Sequence, residues 1–104
     1  MEPFAALSDP QRRRMIELIG SGERPAGTIA GEFALTPAAV SQHLKVLREA
    51  GLVRVRRDGP RRLYSLDSEG LAAVDEWIGK VRGFWSGRLD ALEAALRDEK
   101  GEKE

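Results

Sequence analysis

Residues 36–66, TPAAVSQHLKVLREAGLVRVRRDGPRRLYSL, carry two kinds of periodicity in one run. Over Pro37 to Ala50, the residues Val40, Leu44 and Leu47 recur at spacings of 4 and 3, the apolar stripe of a helix. Thr36-Pro37 opens that helix with a hydroxyl cap and a proline tolerated in the first turn. Gly51 stands where a helix stop takes left-handed backbone. From Leu52 the period becomes two. Leu52 to Arg57 and Arg61 to Leu66 alternate apolar and polar residues across Asp58-Gly59-Pro60, which predicts a β-hairpin with Val53, Val55, Tyr64 and Leu66 facing inward.

Working outward toward the N-terminus, Ala26 to Phe33 is expected to form a short helix with Ile29, Ala30 and Phe33 on one face. Glu23-Arg24-Pro25 reads as a connector. Before it, Ser8-Asp9-Pro10-Gln11 is a helix start: Ser8 or Asp9 can cap, and Gln11 can complete a capping box from Ser8. That helix runs to about Ile19 with Met15, Ile16, Leu18 and Ile19 apolar, and Gly20-Ser21-Gly22 stops it. Phe4, Ala5 and Leu7 suggest one or two further helical turns. Beyond the hairpin, Asp67-Ser68-Glu69 caps a last helix continuing to about Leu96. The expected fold is mainly α with a small β-hairpin, in the order α-α-α-α-β-β-α: a winged helix-turn-helix. The 104 residues fit a single domain over 1–96, with 71–96 as a dimerisation helix and 97–104 as a charged, flexible tail.

The formal net charge of zero hides an asymmetry. Residues 1–66 hold 11 Lys and Arg against 7 Asp and Glu; residues 67–104 hold 6 against 10. Residues 36–66 alone hold 7 basic and 2 acidic groups, a balance suited to a polyanion. With no cysteine and one histidine, disulfides, thiolate metal sites and cysteine nucleophiles are excluded. No apolar run reaches membrane-span length and the N-terminus lacks signal-peptide character, so no membrane partner and a cytoplasmic location are expected. No Gly-rich phosphate loop or plausible triad argues for an enzyme.

The helix over 37–50 has the chemistry of a DNA-reading element. Its apolar stripe docks on the domain, leaving Thr36, Ala38, Ser41, Gln42 and Lys45 to project elsewhere. Ser41 and Gln42 can donate and accept, and a glutamine can pair bidentately with adenine. Ala38 can touch a thymine methyl, while Thr36 and Lys45 suit phosphates. A solvated polar face is the plainer alternative. The hairpin argues against it: Arg54, Arg56, Arg57, Arg61 and Arg62 fall within nine residues and repel one another unless an anion answers them. Some of these can pair with Asp58 or with acidic residues of the last helix, and Arg54 is expected to be partly structural. His43, next to the apolar stripe, reads as a packing residue rather than a DNA contact.

Three stretches resemble the ArsR family of winged-helix repressors: ALSDPQRRR (6–14 with its leading Ala6), VSQHLKVLREAGLV (40–53) and GPRRLYSL (59–66). The likeness runs from residue 4 to about residue 96. It implies a homodimeric repressor of double-stranded DNA, with Ala38, Ser41 and Gln42 at base-facing positions. Metal-sensing members carry cysteines on the short helix before the turn, or Asp/His and His/Glu pairs on the last helix. Here the short helix reads Thr28-Ile29-Ala30-Gly31-Glu32-Phe33 and the last helix has no histidine. The Phe84-Trp85 pair resembles the metal-free branch, so no metal and no cofactor are expected.

In the last helix Leu71, Val74, Ile78, Val81, Trp85, Leu89, Leu92 and Leu96 form one stripe, widened by Trp77 and Phe84. A rod of this length, roughly 40 Å at 1.5 Å per residue, outruns what a small domain covers from one side. The expected dimer interface is therefore Phe4, Leu7, Leu71, Val74, Ile78, Val81, Trp85, Leu89 and Leu92, with part of the helix folding back on its own chain. Gly79, Gly83 and Gly87 lie on another face and fit close helix approach, a bend or a pocket equally well. The aromatics fit either an interface or the border of a small-molecule pocket, and an inducer is left open. Palindromic DNA is the expected target of the dimer-borne Thr36, Ala38, Ser41, Gln42, Lys45, Arg56, Arg57, Arg61 and Arg62. A winged helix that binds protein partners is the competing reading.

Overall fold

The computed structural model describes residues 1–102, with side-chain burial to residue 98. The chain divides into two compact units, Met1–Val74 and Asp75–Glu104. The first begins with α1 (Pro3–Ala6), whose free N–H groups are met by the Glu2 carboxylate. Next, α2 (Pro10–Gly20) is capped by Asp9, which accepts from the backbone N–H of Gln11 at 2.8 Å and of Arg12 at 3.3 Å. Partial burial pushes the Asp9 carboxyl up, but those hydrogen bonds and the nearby His43 and Arg12 outweigh it and hold it below its ordinary value. The capping box expected from Ser8 is absent: Ser8 Oγ donates instead to the Ala5 carbonyl at 2.7 Å, helping to close α1.

The segment read as a connector contains a strand, β1 (Arg24–Pro25). It is followed by α3 (Ala26–Gly31), α4 (Pro37–Glu49), β2 (Val53–Asp58) and β3 (Arg61–Leu66). All three strands are antiparallel in the order β1-β3-β2, so the wing is a three-stranded sheet rather than a bare hairpin. Two residues cannot display a period of two, and proline argues against a strand except at an edge, where β1 lies. Leu63, directly opposite Pro25 and Arg56, is consequently 5 % exposed although the alternation assigned it outward. Gly59, at φ +63°, takes the first position of the two-residue loop and Pro60 the second.

The core joins Met15 and Ile19 of α2, Ile29 of α3, Leu44 and Leu47 of α4, and Leu52, all essentially inaccessible. Each is worth roughly 1.5–3 kcal/mol against full exposure. At the end of α4, Gly51 has φ +79°, its N–H donates to the Arg48 carbonyl, and the N–H of Leu52 donates back to Leu47, both at 3.0 Å. This pair of bonds satisfies the last carbonyls while burying Leu52 beside Leu47.

The last helix, α5 (Ser68–Glu102), continues past the Leu96 limit read from its stripe, through part of the segment expected to be a flexible tail. Good helix formers and an Arg97–Glu93 pair at 3.7 Å accompany the extension. Leu71 and Val74, in the first unit, are half-buried against the core. In the second unit Val81 is half-buried, whereas Trp77, Ile78, Phe84, Trp85, Leu89, Leu92 and Leu96 are exposed.

Candidate nucleic-acid interface

Helix α4 is held from behind by Val40, Leu44 and Leu47, all buried. Thr36, Ala38, Ser41, Gln42 and Lys45 are all exposed. Thr36 Oγ1 accepts from the Ala39 N–H at 3.1 Å, so the residue expected at a phosphate also caps the helix. Among the described residues, Ser41, Gln42 and Lys45 have no side-chain hydrogen-bond or ion-pair partner. Their donors and acceptors are therefore available to an outside molecule.

His43 is half-buried, and its Nδ1 lies 3.4 Å from Arg12 Nη1. Arg12 Nε also donates to the Ala6 carbonyl at 2.6 Å. The histidine thus packs α4 against α1 and α2, as its position beside the stripe suggested. Arg12 was not singled out from sequence; the Ala6 carbonyl and His43 lie 6 and 31 residues from it.

The five wing arginines divide into two sets. Arg56 donates from Nε and Nη2 to the two carboxylate oxygens of Glu23, at 2.9 and 2.7 Å. Those hydrogen bonds and the attraction between the charges raise the Arg56 pKa and lower that of Glu23. Arg54 Nε lies 3.3 Å from Asp67, and the same causes raise Arg54 and lower Asp67. Arg61 reaches Asp58 at 3.4 Å. By contrast, Arg57 and Arg62 have no ion-pair partner among the described residues, although they sit directly opposite each other across β2 and β3. Like charges so placed destabilise a strand pair unless an anion lies between or above them.

A groove runs between α4 and the wing, with Ser41 of α4 and Arg62 of β3 both lining it. The sequence-derived set is thus partly drawn together and partly sorted. Ser41, Gln42, Lys45, Arg57 and Arg62 are unengaged, whereas Arg56 and Arg61 are already answered by carboxylates. Among the described residues, no three His, Asp or Glu side chains gather as a metal site, and no helix is long and apolar enough to cross a membrane.

Comparison with known proteins bears on the family and the fold. A helix-turn-helix domain family model matches residues 7–56. The chain is similar to the HTH-type transcriptional regulator Rv2034 of Mycobacterium tuberculosis, at 40% identity over 95% of this chain and 89% of that protein. It is also similar to the transcriptional repressor SdpR of Bacillus subtilis, at 35% identity over 72% and 83% of the two chains. A crystal structure described as a possible transcriptional regulator for arsenical resistance superposes with a TM-score of 0.69 at 42% identity, over 74% of this chain and 80% of that one. The homodimeric winged helix-turn-helix DNA-binding domain Mb0332 of Mycobacterium bovis, described as a possible ArsR-family regulator, gives 0.63 at 29% identity, over 75% and 72%.

Proposed function

Because the chain belongs to the ArsR family of winged helix-turn-helix transcriptional regulators, we propose that it is a homodimeric, metal-independent cytoplasmic repressor of palindromic double-stranded DNA. The observation that carries this reading is the unengaged set Ser41, Gln42, Lys45, Arg57 and Arg62, with Ser41 and Arg62 opening onto one groove. Ser41 and Gln42 address base edges, with Ala38 beside them against a thymine methyl. Thr36, Lys45, Arg57 and Arg62 take phosphates, and Arg56 and Arg61 support them while held by Glu23 and Asp58.

The homodimer is supported by the homodimeric Mb0332 domain and by the exposed apolar residues of α5. Phe4 and Leu7 on and beside α1 extend the interface, together with Leu71, Val74, Ile78, Val81, Trp85, Leu89 and Leu92. Two-fold symmetry then presents two reading helices about 34–36 Å apart, or a multiple of that, which matches an imperfect palindrome. Metal independence is supported by the donor set: no cysteine, a single histidine already against Arg12, and no acidic cluster among the described residues. Repression is supported by the likeness to SdpR.

The reading is tested by selecting genomic fragments with the purified protein and measuring affinity for the selected and a random duplex by fluorescence anisotropy. Gln42→Ala is expected to weaken the selected duplex by about tenfold or more and the random duplex little. Arg57→Ala and Arg62→Ala are expected to weaken both and flatten the salt dependence by about one phosphate each. Equal losses on both duplexes for Gln42→Ala would overturn the base-reading role.

A further inference from the structure

The groove between the wing and helices α3 and α4 has a volume of about 230 Å³. Ala26, Ala30, Val40 and Leu44 supply an apolar wall, and Ser41 and Arg62 contribute polar groups. Tyr64 also lines it. This residue is 6 % exposed, and its hydroxyl, which makes no hydrogen bond among the described residues, remains accessible to solvent rather than enclosed. Arg62 is likewise without a carboxylate, and the facing Arg57 adds to the positive potential at this end of the sheet.

An apolar wall, an unanswered guanidinium and two unanswered hydroxyls together define a ligand. The guanidinium selects an anion and accommodates a carboxylate bidentately. The hydroxyls add hydrogen bonds to its oxygens, and the alanine, valine and leucine surface takes an apolar body. We propose that this groove binds a small carboxylic acid with an aromatic or aliphatic body. Resting on the reading of Ser41 and Arg62 as DNA contacts, its occupant competes with the duplex and acts as an inducer. A free phosphate or a DNA phosphodiester shares the negative charge but leaves the apolar wall uncovered.

The test uses the purified full chain with benzoate as probe, and benzamide and inorganic phosphate as controls. Backbone amide shifts are followed by NMR without DNA, and release of a random duplex at low salt is followed by anisotropy. Benzoate is expected to shift resonances around residues 26–30, 40–44 and 62–64 and to displace duplex. Benzamide and phosphate should each be weaker by about tenfold or more, since each lacks one half of the match. Ala30→Leu, which fills the wall, should abolish benzoate binding and leave duplex affinity intact. Should that variant fold poorly, Tyr64→Phe keeps the ring, and is expected to weaken benzoate about threefold to tenfold with duplex affinity unchanged. Phosphate binding as tightly as benzoate, or shifts centred on Trp77, Phe84 and Trp85 instead, would overturn the site. Benzoate seated in the groove with duplex fully retained would overturn the inducer role alone. Benzoate binding is read without DNA and duplex affinity without benzoate, so failure of the DNA reading is separately visible.

Discussion

Gly51 and Gly70 meet where α4 ends and α5 begins. A Cβ built on Gly70 would overlap the carbonyl oxygen of Gly51, a backbone atom held by the helix stop around it. Gly70→Ala is therefore expected to destabilise the protein by about 1–3 kcal/mol, the usual range for overpacking. Thermal unfolding measures this, and an unchanged midpoint would contradict the close approach. Helix propensity alone predicts the opposite sign, because alanine is the better helix former. Gly51 was legible from its place after an apolar stripe. Gly70 was not, since its constraint comes from an atom 19 positions earlier in the chain. The arginines follow the same logic: five look alike in sequence, and only Glu23, 33 residues from Arg56, distinguishes Arg56 from Arg57.

At the level of elements, the wing is stapled at Arg56–Glu23 and Arg54–Asp67. Both carboxylates titrate below their ordinary values of 4.5 and 3.8 because they accept hydrogen bonds from arginine. Their contribution is complete above those values and is lost as pH falls through the lowered folded-state values. Chemical shifts of β2 and β3 should hold steady from neutrality to about pH 5 and move in more acidic solution. Glu23→Gln should remove the part of that transition centred on Arg56 and spare the part at Arg54. In α5, Gly83 lies two residues, about 200° around the helix, from Trp85, and a Cβ there meets open space. Gly83→Ala should raise stability by up to about 1 kcal/mol without altering the oligomeric state. A weakened dimer in light scattering would instead place this glycine face in the interface.

For the molecule as a whole, the unit Asp75–Glu104 exposes Leu89 and Leu92 at 57 % each and Trp85 at 56 %. Covering such side chains is worth roughly 1.5–3 kcal/mol apiece, so several together can offset the cost of association. Leu89→Glu with Leu92→Glu is expected to give a monomer by light scattering, with unchanged chemical shifts in the core of Met1–Val74. Affinity for the selected duplex should fall by about a hundredfold or more, because one reading helix then acts without the second. A double variant that remains dimeric would remove α5 from the interface.

The sequence by itself determined the succession of helices, the stops at Gly20-Ser21-Gly22 and Gly51, the wing hairpin, the buried stripe of α4 and the exposed face that carries Ser41 and Gln42. Each rests on relations between residues a few positions apart, which hydrophobic periodicity and turn chemistry record directly. Tertiary structure decided that β1 joins the wing, that Leu63 is buried, that Asp9 rather than Ser8 caps α2, and that Arg57 and Arg62 are the wing arginines without an ion-pair partner among the described residues. Most of those outcomes depend on atoms brought together from distant parts of the chain, and the choice of cap on where the end of α1 leaves the Ser8 hydroxyl. Such proximity is created by packing, so composition and spacing carry no trace of it.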